Sequence, residues 1–256
     1  MLRMLLARLR QGRRTLAFPP AANPLPARFR GRPVLEGARC RAVMPPCGAE
    51  RTSGTLAHAP GALPIVDLGA SLFAPEEAAA CPERALRFGP DYAMATRTRE
   101  ALRTSTGEIE LAQRLAERSR RLFGRSLRLR AVSAGSCNGC EAELVALGNV
   151  VFDIARFGVQ FVASPRHADG MLVTGAVSLN MRLALEKTYA AIPDPRLVIA
   201  VGSCAISGGP FRGSPEVLDG IPAGIPVDLY IPGCPPHPLT LIDGILRLLG
   251  RLEPSR

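Results

Sequence analysis

The C-terminal half of the chain predicts an α/β fold built on a parallel sheet. Five short apolar runs recur after residue 126, and stretches with helical periodicity separate them. Because the runs are almost continuously apolar, they fit strands that helices cover on both faces. The predicted strands are 127–133, 158–164, 168–175, 196–203 and 226–233, and the predicted helices are 141–156, 177–191 and 238–252. This alternation predicts a flavodoxin-like doubly wound sheet in a domain of residues 126–256.

Composition narrows the class of protein. The chain has 256 residues, a formal net charge of +10 and seven cysteines. Seven scattered cysteines are too few for a secreted disulfide framework, so we expect a reducing compartment and metal ligation. An apolar run of about 18 residues, which a membrane span requires, is absent from the sequence. We therefore expect a soluble or peripheral protein.

The N-terminal block, residues 1–29, is basic. Acidic side chains are absent before Glu36, and Leu and Met alternate with Arg over 1–16, which predicts a short basic amphipathic helix followed by a proline-rich connector. An anionic membrane surface or an acidic partner subunit is the expected partner. The segment also resembles an organelle transit peptide. We do not expect nucleic acid as a partner, because interleaved aromatic residues and a known binding module are missing.

Four cysteines follow predicted strands. Cys137 and Cys140 lie between the first strand of this domain and its first helix, and Cys204 and Cys234 follow two later strands. The carboxyl ends of parallel strands lie at one edge of a sheet, so we expect the four thiols to converge there.

Four thiols fit either a zinc ion or a 4Fe–4S cluster. One close pair joined by two single cysteines favours iron–sulfur, because structural zinc sites usually combine two close pairs. The helix that follows Cys140 is expected to favour the thiolate form. Glycines beside the ligands would let backbone amides approach the cluster, and these are Gly135, Gly139, Gly202, Gly208, Gly209 and Gly233.

Four motifs, CNGCEAEL, SPRHADGMLVTGAV, VGSCAISGG and YIPGCPPHP, resemble the complex I 20 kDa subunit and nickel–iron hydrogenase small-subunit family over residues 126–252. The resemblance implies one 4Fe–4S cluster held by Cys137, Cys140, Cys204 and Cys234. The Cys-x-x-Cys pair followed by Glu141 is similar to formate hydrogenlyase-type, energy-converting hydrogenases. Complex I subunits of this family carry two adjacent cysteines at this motif.

The resemblance implies an electron-transfer subunit of a membrane-associated, complex I-related nickel–iron hydrogenase. Its expected partners are a large subunit, either a nickel–iron subunit or its complex I counterpart, together with a ferredoxin-like subunit and membrane subunits. The implied location is peripheral, on the cytoplasmic side of the inner membrane, and no catalysis is expected from the chain alone. Two alternatives remain open: a complex I-type subunit that passes electrons toward quinone, and a non-redox scaffold that binds zinc.

Residues 30–92 resemble a degenerate two-cluster ferredoxin, a small α+β domain like the polyferredoxin subunit of formate hydrogenlyase-type complexes. The eight positions that would carry cluster ligands are Cys40, Val43, Pro46 and Glu50, then Ser71, Ala74, Glu77 and Cys81, with Cys47 one place out of register. Three cysteines cannot hold two clusters, so we expect a scaffold or docking surface. An irregular proline-rich leader is the alternative. Residues 93–125 are predicted to form a helical linker.

Three further residues are candidates for roles beside the cluster. Glu141 is a candidate for proton relay or for orienting the cluster loop, and its alternative role is a carboxylate facing the helix dipole. Arg166 and His167 are candidates for tuning the cluster potential or meeting a partner, and a plain surface loop is the alternative. His237 is expected to be a loop or interface residue, because four thiolates already complete the ligand set.

Overall fold

The computed structural model of the chain describes residues 2–20, 25–36, 55–57, 65–79, 85–117, 122–123 and 126–252. The predictions for Cys40, Cys47 and Cys81 lie outside these ranges. The α-helices described are α1 (Leu2–Gln11), α2 (Pro75–Ala79), α3 (Gly139–Ala146), α4 (Leu179–Ala191), α5 (Gly202–Ser207) and α6 (Pro238–Leu248). The strands are β1 (Pro33–Leu35), β2 (Leu56–Ala57), β3 (Ile65–Asp67), β4 (Leu86–Phe88), β5 (Arg103–Thr104), β6 (Leu127–Ser133), β7 (Val159–Phe161), β8 (Gly170–Thr174), β9 (Leu197–Val201) and β10 (Leu229–Ile231).

The C-terminal domain contains a five-stranded sheet in which every pairing is parallel. Its order is β10-β9-β8-β6-β7. Numbered within the domain, the strands follow the order 2-1-3-4-5 from one edge to the other, which is the flavodoxin-like order. The predicted α/β class and flavodoxin-like sheet are confirmed.

Apolar side chains cover both faces of this sheet. Successive residues of a strand point to opposite faces, so Leu172 joins one core while Met171 and Val173 join the other. The first core includes residues of α3 and α6, and the second includes Leu185 of α4. The central strands β8 and β9 are buried along their whole length. This burial explains their continuous apolar sequence.

The helix predicted over 141–156 is shorter than expected and ends at Ala146. The side chain of Asn149 accepts hydrogen bonds from the backbone amides of Val151 and Phe152, at 2.8 and 3.0 Å. An asparagine that binds nearby amides offers the backbone an alternative to the helix. Asp153 then adopts a left-handed conformation with φ of 40°, so the chain turns toward β7.

The linker helix predicted over 93–125 is wrong for residues 93–116. This stretch contains a 3₁₀ turn at Glu100–Leu102 and the strand β5, and helical residues appear only from Glu117 onward. The hydroxyl of Thr104 accepts hydrogen bonds from the amides of Thr106 and Gly107, which closes a local turn. Thr104, Thr106 and Gly107 therefore form a turn where the linker helix was predicted.

The N-terminal part contains two small antiparallel sheets. In one, β1 pairs with β4, and in the other the order is β2-β3-β5. The predicted amphipathic helix is present as α1, and all of its described residues are exposed. Across the described ranges, no helix combines the length and the apolar character needed to cross a bilayer.

One N-terminal residue also covers the edge of the large sheet. The amide and carbonyl of Thr96 exchange hydrogen bonds with Tyr230 of the edge strand β10, at 3.0 and 2.9 Å. Ala95 packs against α6, where a Cβ on Gly244 would lie only 2.7 Å from the Ala95 side chain. The N-terminal residues thus join the fold directly beside the strand that precedes Cys234.

Candidate metal centre

The four cysteines lie at the carboxyl edge of the parallel sheet. Cys137 and Cys140 follow β6, with Cys140 in the first turn of α3, and Cys234 follows β10. Cys204 follows β9 as predicted and lies inside the short helix α5. Gly202, with φ of 82°, turns the chain from β9 directly into this helix. Glycine adopts this left-handed conformation at no steric cost.

Three cysteine-bearing segments meet at Gly202. A Cβ built on this glycine would lie 2.6 Å from the Sγ of Cys140, 3.4 Å from the carbonyl of Gly233 and 3.8 Å from Pro236. Gly202 itself lies two residues before Cys204. The segments that carry Cys140, Cys204 and Cys234 therefore converge on one region.

Two more glycines lie against cysteine sulfurs. A Cβ on Gly139 would lie 3.5 Å from the Sγ of Cys137 and 3.7 Å from Pro235, so the first and last cysteine loops are neighbours. A Cβ on Gly209 would lie 2.8 Å from the Sγ of Cys204. A larger residue at Gly209 would therefore intrude on this sulfur.

The thiols influence one another electrostatically. Burial raises the pKa of Cys204 to about 11, and the nearby Cys234 and Cys137 reinforce the shift. Burial is also the largest cause that raises the pKa of Cys140, and repulsion from Cys204 and Glu141 raises this pKa further. At Cys140, burial and the neighbouring Cys204 and Glu141 favour the protonated thiol, in opposition to the helix N-terminus. Its proton must leave before the sulfur can bind metal.

Among the described residues, no three Cys, His, Asp or Glu side chains lie close enough together to hold one metal ion. Four thiols at one edge, with glycines beside three of them, are donors that suit an iron–sulfur cluster.

Glu141 ties the first cysteine loop to the sheet. The hydroxyls of Ser136 and Thr174 donate hydrogen bonds to its two carboxylate oxygens, at 2.6 and 2.5 Å. Burial would raise the pKa of Glu141, but hydrogen bonds from Ser136, Thr174 and Ser133 outweigh burial and hold the pKa below its ordinary value. The ionised carboxylate thereby fixes the loop that carries Cys137 against the end of β8.

Arg166 and His167 are not brought to the cysteines. They lie in the exposed 3₁₀ turn Pro165–His167, which precedes the amino end of β8. The cysteine loops lie at the opposite end of that strand, where Thr174 contacts Glu141. The four residue steps of β8 separate the two ends by roughly 13 Å.

His237 caps α6. Its Nδ1 accepts a hydrogen bond from the amide of Leu239 at 3.2 Å, and its ring packs edge-on against Phe29 and Phe152. Burial lowers the pKa of His237. A neutral imidazole is required for Nδ1 to accept, so the cap and the burial favour the same protonation state.

We expect His237 to make the fold weaker in acid. Its folded pKa is lowered, so its contribution to stability is present above the unfolded pKa of about 6.5 and is lost as pH falls through the folded pKa. The variant His237→Asn keeps a side-chain oxygen for capping and does not titrate in this range. Denaturant unfolding should be measured for both proteins between about pH 5 and 8. The difference between their unfolding free energies should be constant above about pH 6.5 and should shrink below that pH. If the unfolding free energies of the two proteins differed by the same amount at every pH, the proposed role of His237 would be contradicted.

Comparisons with known proteins bear on the same region. A profile of the family described as "NADH ubiquinone oxidoreductase, 20 Kd subunit" matches residues 137–248, a range that contains all four cysteines. A probable membrane-bound hydrogenase subunit, mbhJ, of Pyrococcus furiosus is 41% identical over 142 residues, which cover 56% of this chain and 84% of that protein. The chain belongs to this family of oxidoreductase subunits.

Two other members of the family match a smaller share of their own length. Formate hydrogenlyase subunit 7 of Escherichia coli is 46% identical over 122 residues, which cover 48% of each chain. An NADH-quinone oxidoreductase subunit of Heliobacterium modesticaldum is 44% identical over 115 residues, covering 44% of this chain and 66% of that protein. Members of the family are iron–sulfur subunits of oxidoreductase complexes. The profile match begins after residue 136, so the N-terminal half lies outside it.

Three residues around the cysteines escaped the sequence analysis. Ser136 and Thr174 hold Glu141, and Ser203 bonds to the segment that carries Cys234. Ser136 and Ser203 each directly precede a cysteine, and this repeated Ser-Cys pair was the available signal. Thr174 carries no comparable signal, because only strand pairing brings it beside Glu141.

Proposed function

We propose that the chain holds one 4Fe–4S cluster on Cys137, Cys140, Cys204 and Cys234. The observation that carries the proposal is the convergence of four thiols at the carboxyl edge of the sheet, within the region that matches the family. The glycines at 139, 202 and 209 support it, because a side chain at any of them would approach or overlap a cysteine sulfur. When bound, such a cluster supplies one-electron transfer.

The proposed complex is a complex I-related nickel–iron hydrogenase of the formate hydrogenlyase type. The Cys-x-x-Cys pair followed by Glu141 supports this choice over a complex I subunit, as do the relatives named as hydrogenase and formate hydrogenlyase subunits. The proposed partner is the large catalytic subunit, to or from which electrons pass. Transfer toward quinone, as a complex I-type subunit, is the second candidate, and the relatives named as NADH-quinone oxidoreductase subunits favour it.

The chain's own residues would hold the cluster and set its surroundings. Glu141 fixes the first cysteine loop, and the backbone turns at Gly202 and Gly208 place Cys204 in α5. The apolar cores under the sheet edge keep these loops in place. Catalysis is assigned to the partner subunit, and this chain transfers electrons to or from it.

The N-terminal half is proposed as a degenerate ferredoxin-like domain over 30–92. The antiparallel pairs of β1 with β4 and of β2 with β3, with α2 between β3 and β4, support it. Without its ligands it cannot continue an electron path, so a separate ferredoxin-like subunit is a proposed partner. The exposed basic helix α1 supports peripheral attachment on the cytoplasmic side of the inner membrane, beside membrane subunits.

Metal and sulfide analysis of the anaerobically purified chain tests the proposal. We expect about four irons and as many acid-labile sulfides per chain, with one electron paramagnetic resonance signal after reduction by dithionite. About eight irons would mean that residues 30–92 hold a cluster after all. Zinc without iron would support the non-redox scaffold and contradict electron transfer.

A further inference from the structure

A segment of the N-terminal half binds directly to the helix that carries Cys204. The hydroxyl of Ser203 donates a hydrogen bond to the carbonyl of Ser71 at 2.5 Å, and the hydroxyl of Ser207 donates to the carbonyl of Gly69 at 2.8 Å. All three serines are buried. Side-chain donors on α5 therefore satisfy two backbone carbonyls from a distant part of the sequence.

Ser203 also joins two cysteine segments. Its amide donates to the carbonyl of Gly233 at 3.0 Å, and its hydroxyl lies 3.3 Å from the same oxygen. Ser203 directly precedes Cys204, and Gly233 directly precedes Cys234. One serine thus links both of these cysteines to Ser71.

Apolar packing closes the same contact. Leu68 and Phe73 of the N-terminal segment share a buried cluster with Ala205 and Ile206 of α5. The approach is close, because a Cβ on Gly69 would lie 2.6 Å from the Ile206 side chain. The two parts of the chain therefore share one buried apolar cluster here.

The loop that begins at Ser71 folds around a buried carboxylate. Glu77 is 1% exposed, and its two oxygens accept hydrogen bonds from the hydroxyl of Ser71 and the amide of Leu72, both at 2.7 Å. The amide of Phe73 donates to the Ser71 hydroxyl at 3.1 Å.

Ser71 and Glu77 occupy the first and third ligand positions of the ferredoxin-like spacing. A loop of that spacing surrounds an anionic cluster when its cysteines are present. Here its hydroxyl and amide donors surround the Glu77 carboxylate instead. This loop is therefore held together by hydrogen bonds to Glu77 and Ser71.

We propose that Ser71, Glu77 and Ser203 form a lock that positions the Cys204 and Cys234 segments and places a fixed negative charge beside the cluster. The inference rests on the proposed function, because it assumes a cluster on these cysteines. Glu77 and Ser203 are positioning residues and not ligands. Both hold the loops that carry the cysteines, and the charge of Glu77 also acts on the cluster electrostatically. Glu77 is placed there by contacts, because Ser71 donates to Glu77 and is bonded through Ser203 to Gly233, the residue before Cys234.

The charge has a predictable effect on reduction. Reduction adds an electron to the cluster, so a nearby negative charge disfavours it and lowers the midpoint potential. Glu77→Gln removes the charge but keeps the size and one hydrogen-bond acceptor. We expect it to shift the midpoint potential to a more positive value while iron content stays close to that of the wild type.

Ser203→Ala tests the other half of the lock. It removes a single oxygen and leaves the carbonyl of Ser71 without its donor. We expect iron release to a chelator to become about tenfold faster, the effect typical of losing a residue that orients a metal ligand. Glu76→Gln is the matched control, because Glu76 lies on the same helix, carries the same charge and is exposed.

The experiment uses the full chain, purified anaerobically, with redox titrations followed by electron paramagnetic resonance and with chelator assays on every variant. A wild-type chain that lacks iron would overturn the proposed function, and the lock with it. A wild-type chain that holds its cluster, with Glu77→Gln matching Glu76→Gln in potential and Ser203→Ala releasing iron at the wild-type rate, would overturn the lock alone.

Discussion

Cys204→Ala is expected to leave less than about a tenth of the wild-type iron and to eliminate the reduced-cluster signal. Cys204 is a proposed ligand and lies in α5, where Ser203 and Gly202 hold it beside the other cysteines. A fold collapse is not expected. The protonated thiol of the metal-free chain behaves as a small apolar group, so replacing it by alanine costs about 1 kcal/mol of unfolding free energy.

The control for this experiment is Cys81→Ala, which removes a cysteine from the predicted degenerate ferredoxin half. It should bind iron as the wild type does. Iron lost equally from both variants would mean that the N-terminal cysteines take part in metal binding. Iron retained in Cys204→Ala would remove this residue from the ligand set. Iron content and the signal after dithionite reduction are the two measurements.

Gly202→Ala is expected to reduce iron content more than about tenfold, although position 202 is not a ligand. The added Cβ would lie 2.6 Å from the Sγ of Cys140, a distance that real Cβ contacts do not reach, so the sulfur or the helix must move. Alanine must also adopt the left-handed conformation, with φ of 82°, which costs about 1 to 2 kcal/mol.

Gly213→Ala separates these two effects. Gly213 has a φ of 78°, almost the same as Gly202, but a Cβ there would meet no atom within 4 Å. It should lower the unfolding free energy by about 1 kcal/mol and leave iron content unchanged. Denaturant unfolding of both variants measures the cost of the left-handed conformation, and iron analysis measures the effect of crowding at Cys140. Equal iron in both would show that crowding at Cys140 has no consequence for the cluster.

The strands and the four cysteines could be predicted because each rests on local sequence. An almost continuously apolar run, such as the sequence of β9, is typical of a strand that is buried on both faces of a sheet. Placement at strand ends then brings Cys137, Cys204 and Cys234 to one edge without any knowledge of side-chain contacts. Errors arose where a side chain competes with the backbone, as at Asn149, which ends α3 early.

The predicted roles of Arg166 and His167 depended on distance rather than on local sequence. Their loop reads as basic and close to a strand, which suggested proximity to the cluster. The loop directly precedes β8, so it lies at the amino end of that parallel strand, with Gly170 beside Leu129. The rule that brings the cysteines to the carboxyl edge places residues that directly precede a parallel strand at the opposite edge.

The sequence by itself determined the fold class of residues 126–252, the four candidate ligands and the absence of most ferredoxin ligands in the N-terminal half. Each follows from residue type and spacing, which act over a few neighbouring residues. The tertiary structure alone decided that Ser203 meets Ser71, that Glu77 is buried against Ser71 and that Gly202 faces Cys140. Such contacts join residues far apart in the chain, and they depend on how two packed units fit together, which no local preference encodes.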